Sequence, residues 1–117
     1  MTRMAAIMAS YDHGASNQPL LGETIGENFN RIAMTHADRE ALVDRFTGRR
    51  WTYARLHHDV LALAHGLIRL GIDKGDRVGI WAPNCPEWTI LQYATAKIGA
   101  ILVNVNPAYR THEFSYA

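Results

Sequence analysis

Two runs decide the fold: Arg77-Val78-Gly79-Ile80-Trp81-Ala82-Pro83-Asn84-Cys85-Pro86-Glu87-Trp88 and, thirteen residues on, Ile101-Leu102-Val103-Asn104-Val105-Asn106-Pro107. Asp73 to Asp76 precedes the first run as a turn cluster, with Gly75 where a positive φ is expected. Arg77 to Trp81 reads as a short strand bounded by Pro83. Asn84 is the expected N-cap of a helix, with Glu87 closing a capping box and Pro86 in the first turn. Trp88, Leu91, Thr95 and Ile98 share one face of that helix, widened by Ile90 and Ala94, and Gly99 ends it. Ile101 to Val105 is a nearly unbroken apolar run, the pattern of a strand covered on both faces. A strand, a helix and a second buried strand predict a right-handed parallel crossover, so the predicted class is α/β.

Working outward, Thr24 and Glu27 form a second capping box, opening a helix on which Ile25, Phe29, Ile32 and Ala33 share a face. Ala41 to Val43 and Arg49 to Tyr53 read as a hairpin turning at Thr47-Gly48. The clearest helix follows, from about Thr52 to Leu70, with Leu56, Val60, Leu63, Ala64 and Leu67 at helical spacing. Gly71 terminates it, and Ile72 stands where a Schellman motif puts its apolar contact. This helix is expected on one face of the sheet. Beyond Asn106 a loop through Tyr109 and Arg110 leads to a short helix capped by Thr111. The predicted order is therefore helix, hairpin, helix and parallel βαβ unit.

Composition is that of an ordinary globular chain: 117 residues, 48% hydrophobic and 20% charged. A net charge of +1 gives no electrostatic case for nucleic acid or an anionic membrane as partner. The single cysteine, Cys85, excludes an intramolecular disulfide and suits a reducing compartment. No apolar stretch approaches the roughly 20 residues of a transmembrane segment. The run Met4 to Ala9 behind Arg3 is too short for a signal core, so a cytoplasmic protein is expected. Residues 1–19 read as a mobile tail, and residues 20–117 as one domain fragment.

Few residues suggest chemistry. His57 and His58 are adjacent and His65 lies seven residues beyond His58, a spacing unlike the three or four of a helical metal pair. Solvated helix-face histidines are the simpler reading. Cys85 stands near a helix N-terminus, where a thiol can be activated, but reads better as a small packing residue. Asp73 and Asp76 sit with Lys74 and Arg77 in a charged turn rather than as an acid/base pair. A dinucleotide site needs glycines between the first strand and its helix, whereas Ala82 to Pro86 offers two prolines and no glycine. Trp81 and Trp88, without a basic groove, read as core rather than as a base-stacking platform.

Trp51-Thr52-Tyr53-Ala54-Arg55-Leu56 resembles the first core motif of the adenylate-forming superfamily. Ala96-Lys97-Ile98-Gly99-Ala100-Ile101-Leu102-Val103-Asn104-Val105-Asn106-Pro107-Ala108-Tyr109-Arg110 resembles the second. With Trp81 to Trp88, these blocks look like the N-terminal region of fatty-acyl-CoA synthetases, which are AMP-forming acid–CoA ligases. The resemblance implies ATP-dependent formation of an acyl-adenylate, then thioester formation with CoA, with ATP, Mg and CoA serving the complete enzyme. It also implies a Ser/Thr/Gly-rich phosphate loop ending in Pro-Lys-Gly, a Thr-Glu pair for Mg-ATP, a ribose-binding aspartate and a C-terminal lysine. No position here matches any of these, so no catalytic, cofactor-binding or metal residue is carried over. Glu113-Phe114-Ser115-Tyr116 also departs from the Leu-Glu pair more usual there. The expectation is a truncated or split fatty-acid–CoA ligase, inactive alone and binding no cofactor itself. The alternatives are an interaction module pairing with a separately encoded remainder, and a free-standing small-molecule-binding α/β domain. An uncovered face on the strand Ile101 to Val105 would make a downstream synthetase fragment, or self-association, the expected partner.

Overall fold

A computed structural model describes residues 14 and 16–117. Of the expected tail, residues 1–13 and 15 lie outside the described residues, and residues 14 and 16–19 are exposed with neither helix nor strand. The elements follow as α1 (Ile25–Thr35), β1 (Glu40–Val43), β2 (Arg50–Thr52), α2 (Tyr53–Arg69), β3 (Arg77–Trp81), α3 (Pro86–Ile98), β4 (Ile101–Val105) and α4 (Thr111–Tyr116). β3 and β4 pair in parallel, from Arg77 opposite Ile101 to Trp81 opposite Val105, with α3 as their crossover. β1 and β2 form a separate antiparallel hairpin with an irregularity between Glu40 and Leu42. The α/β class and the predicted order of elements hold.

Local chemistry explains most of the boundaries. At Thr24 both halves of the capping box are made: the Glu27 amide donates to Thr24 Oγ1 at 3.2 Å, and the Thr24 amide to Glu27 Oε2 at 2.8 Å. Thr52 Oγ1 accepts from the Arg55 amide at 3.2 Å and starts α2, so Tyr53 belongs to the helix and not to the strand. At the other end of α2, the amides of Gly71 and Ile72 reach back to Ile68 O and Leu67 O, the two bonds of a Schellman turn.

Three start and burial details differ from expectation. Cys85, not Asn84, is the N-cap of α3, with φ −149° and ψ 160° and no side-chain cap bond. The reason is Pro86, which excludes helical backbone from the residue before it and so sets the first helical position itself. Arg110 rather than Thr111 precedes α4, its amide donating to Glu113 Oε2 at 3.1 Å. On α1, Gly26 is buried with Phe29 and Ala33, whereas Ile25 is 59% exposed. Gly26 lies against Lys97, so α1 meets α3 through Gly26 where Ile25 was expected, while Phe29 and Ala33 are buried as expected.

The core gathers Phe29, Trp51, Leu56, Val60, Ala64, Leu67 and Ala94, with Val60 and Thr95 fully buried. α2 packs mainly on α3, and also on α1 and the hairpin, and Val78 of β3 packs against the core that α2 largely forms. Ile101 to Val105 is not covered on both faces: Val105 is buried, Leu102 and Val103 are half-buried and Ile101 is 51% exposed.

Candidate functional site

Trp51 ties the hairpin to α2. Its ring is buried, and Nε1 donates to Asp59 Oδ2 at 2.9 Å. Asp59 also accepts from Arg55 Nε at 3.2 Å and meets His58 Nδ1 at 3.0 Å. Burial pulls the Asp59 carboxyl upward, but the bonds from His58, Trp51 and Arg55 outweigh it and hold the group below its ordinary value. Arg49 lies 5.2 Å from the Trp51 ring and reaches Glu87 at 3.2 Å and Asp44 at 3.6 Å. Glu87 is also held low, first by its backbone amide at the start of α3 and then by Arg49 and Cys85.

Arg49, Arg50, Arg55, Asp59 and Glu87 line an open groove of about 780 Å³ whose apolar wall is Trp51, Ala62, Leu63 and Ile90. Three arginines make it look like an anion site, yet each is already matched by a carboxylate: Arg49 by Glu87 and Asp44, Arg50 by Glu40 and Arg55 by Asp59. A triphosphate entering here would have to displace these ion pairs. The βα turn is no better, because Trp88 Nε1 donates to the carbonyls of Ala82 and Pro83, both at 3.2 Å. That turn presents carbonyl oxygens and two prolines where phosphate needs amide donors. In both places the groups that a phosphate would need are already engaged, or replaced by carbonyls and prolines.

The second motif block is organised around its own turns. Gly99, with φ 76°, ends α3, and its carbonyl accepts from the Gly75 amide at 2.9 Å. Asn106 Oδ1 accepts from the Ala108 amide at 2.9 Å, an Asx-type turn, and Asn106 O accepts from Trp81 Nε1 at 3.1 Å. Trp81 is therefore not core. It is 49% exposed and stacks on Phe114, itself 44% exposed, with ring centroids 4.6 Å apart.

The other sequence candidates are not brought together. Among the described residues no group of three or more His, Cys, Asp and Glu could hold a metal ion. Asp76 Oδ2 accepts from the Asp73 amide at 2.7 Å, so the two aspartates build the turn. Cys85 is half-buried beside Leu42, Phe46 and Pro86. What sequence reading missed is a meeting of three helices. Asn30 Oδ1 accepts from His57 Nε2 at 2.9 Å and from Lys97 Nζ. These residues are 27 and 67 positions apart from Asn30, and the only local sign was a lysine close to the apolar end of α3.

A parallel βαβ unit behind a helix, a hairpin and a helix, carrying both motif blocks as scaffold, is the fold of the N-terminal part of adenylate-forming enzymes. Residues 29–117 match the AMP-binding enzyme family, and the chain belongs to that family. Over 111 residues it is 43% identical to the mitochondrial medium-chain acyl-CoA ligase ACSF2 of Danio rerio, covering 95% of this chain and 18% of that protein. A fatty acyl CoA synthetase of Mycobacterium tuberculosis superimposes with a TM-score of 0.76 at 35% identity, over 80% of this chain and 18% of that one. The NpsA N-terminal subdomain of Klebsiella oxytoca, solved with anthranilyl-AMSN, gives 0.74 at 32% identity, over 80% and 24%. The chain thus spans less than a fifth of the length of the curated relatives it matches. Among the described residues no helix is long and apolar enough to cross a membrane.

Proposed function

We propose that these 117 residues are the opening scaffold of a fatty-acid–CoA ligase and do not catalyse adenylation alone. The full reaction would be ATP-dependent acyl adenylation, then thioester formation with CoA, with the groups that grip ATP and Mg supplied by residues outside this sequence. The observation that carries the reading is the compensated groove: three arginines stand at the first motif block and each is already paired with a carboxylate. The motif residues hold helices and strands in place: Trp51 bonds Asp59, Thr52 caps α2 and Gly99 ends α3. Residues 20–117 form the unit and residues 1–19 its tail, in a cytoplasmic setting that suits one half-buried thiol.

Purified chain given ATP, Mg²⁺, CoA and fatty acids of varied length should release no pyrophosphate above blank. Turnover that survives repurification, and disappears on mutation of this chain, would overturn the reading. A second reading, pairing with a separately encoded synthetase remainder or with another copy, is favoured by the exposed Trp81–Phe114 stack and the half-exposed Ile101. Burying each such side chain is worth about 1.5–3 kcal/mol. Sedimentation with and without a downstream synthetase fragment checks it: a monodisperse monomer, indifferent to the fragment, would sink it.

A further inference from the structure

α1 is held to α2 and α3 by one apolar contact set and one polar atom. Phe29 stacks on Tyr93 with centroids 4.2 Å apart and planes inclined by 22°. Among the described residues, the hydrogen bonds that join α1 to α2 and α3 both end on Asn30 Oδ1: His57 Nε2 at 2.9 Å, and Lys97 Nζ. Lys97 Nζ also lies 5.6 Å from the centre of the Phe29 ring. An ammonium has only donors, so it requires the amide oxygen, not the amide nitrogen, at this point. His57 must then donate, which places its proton on Nε2 and leaves Nδ1 as the atom that titrates.

We propose that Asn30, His57 and Lys97 form a proton-sensitive clamp, which holds α1 onto α2 and α3 while His57 is neutral and loosens α1 when His57 is protonated. Protonation at Nδ1 keeps the bond to Asn30 but sets a second cation beside Lys97 at one shared oxygen. The groups facing the ring are Asn30 and Phe29 from α1 and Lys97 from α3, with Tyr93 behind Phe29. On α2 itself, the neighbours His58 and Asp59 are paired with each other. No carboxylate among them offsets the added charge. Burial first, and then Lys97, push His57 toward its neutral form; burial does the same to Lys97. A folded-state value depressed below the unfolded one means that the stabilisation is present above about pH 6.5, the ordinary histidine value, and is lost as pH falls through the folded value.

Hydrogen exchange of the whole chain between pH 8 and 5, corrected for intrinsic amide chemistry, tests the clamp. Amides of α1 should lose protection several-fold in acid, while those around Val60 in α2 should not. His57→Gln keeps a donor for Asn30 without a titrating nitrogen, and should leave α1 protection flat across the same range. Lys97→Met should shrink the acid loss. A flat wild-type profile, equal loss in α1 and α2, or an undiminished loss in His57→Gln would each overturn the proposal. So would an NMR titration of wild-type His57 with a midpoint above about 6.5, a test that needs no variant to fold.

Discussion

Replacing Gly99 by alanine tests how α3 is joined to β4. The residue has φ 76°, and a side chain in that left-handed region costs about 1–2 kcal/mol. The added Cβ would also stand 2.9 Å from Lys74 Cγ, closer than van der Waals contact allows. Lys74 is flexible, so moving it off its rotamer adds only about 0.5–1.5 kcal/mol. Gly99→Ala should therefore lose roughly 1.5–3.5 kcal/mol. Gly71 provides the control: its φ is 86° with open space around it, so Gly71→Ala should lose the backbone cost of about 1–2 kcal/mol alone. Trimming Lys74 to alanine removes the closest atom and leaves Cβ at 3.5 Å, so Lys74→Ala with Gly99→Ala should fall back toward the Gly71→Ala loss. Urea unfolding followed by tryptophan fluorescence reads all three as shifts in midpoint at constant slope. The loss matters because Gly99 O accepts from Gly75 and Asp76 O accepts from the Ile101 amide at 2.7 Å, bonds that carry the register of β3 on β4. A neutral Gly99→Ala, or one that the lysine truncation fails to relieve, would refute the reasoning.

Four further outcomes are expected. Val60→Ala removes two fully buried methyl groups between α2 and α3, and should cost about 2 kcal/mol by urea unfolding. Thr95→Val should stay within about 1 kcal/mol, because the buried hydroxyl bonds only to Leu91 O and Gln92 O of its own helix. Glu27 is held below the ordinary glutamate value of 4.5, first by the Thr24 amide and then by its hydroxyl. Its contribution is present above that value and lost as pH falls through the lower folded value, so Glu27→Gln should lessen the decline of the urea midpoint in acid. Cys85, half-buried at the N-cap of α3, should react with a thiol reagent more slowly in folded than in urea-unfolded chain, and an equal rate would deny its packing role.

The helix ends were legible because caps act over three or four residues. Thr24 with Glu27, Thr52, Gly71 with Ile72, and Gly99 all end or begin helices where their chemistry predicts. The start of α3 was misplaced by one residue because two local rules competed there: asparagine is the better cap, but a proline two positions later forbids helix at the residue between them. The candidate site was much less legible. Nothing local says that Arg49 will meet Glu87, 38 positions away, and so lose its value as an anion-binding group. Ile25 satisfies the helical spacing of its neighbours, yet the close seat of Gly26 on Lys97 turns it outward.

By itself, the sequence determined the order of elements, the parallel strand pair and the family, because periodicity, caps and contiguous motif blocks are properties of neighbours along the chain. Only the tertiary structure decided which charges cancel, that Trp81 faces outward onto Phe114, and that Asn30, His57 and Lys97 share one oxygen. Those outcomes depend on how helices are rotated and docked against one another. Docking is set by the summed packing of many side chains, so a single residue pattern does not encode it.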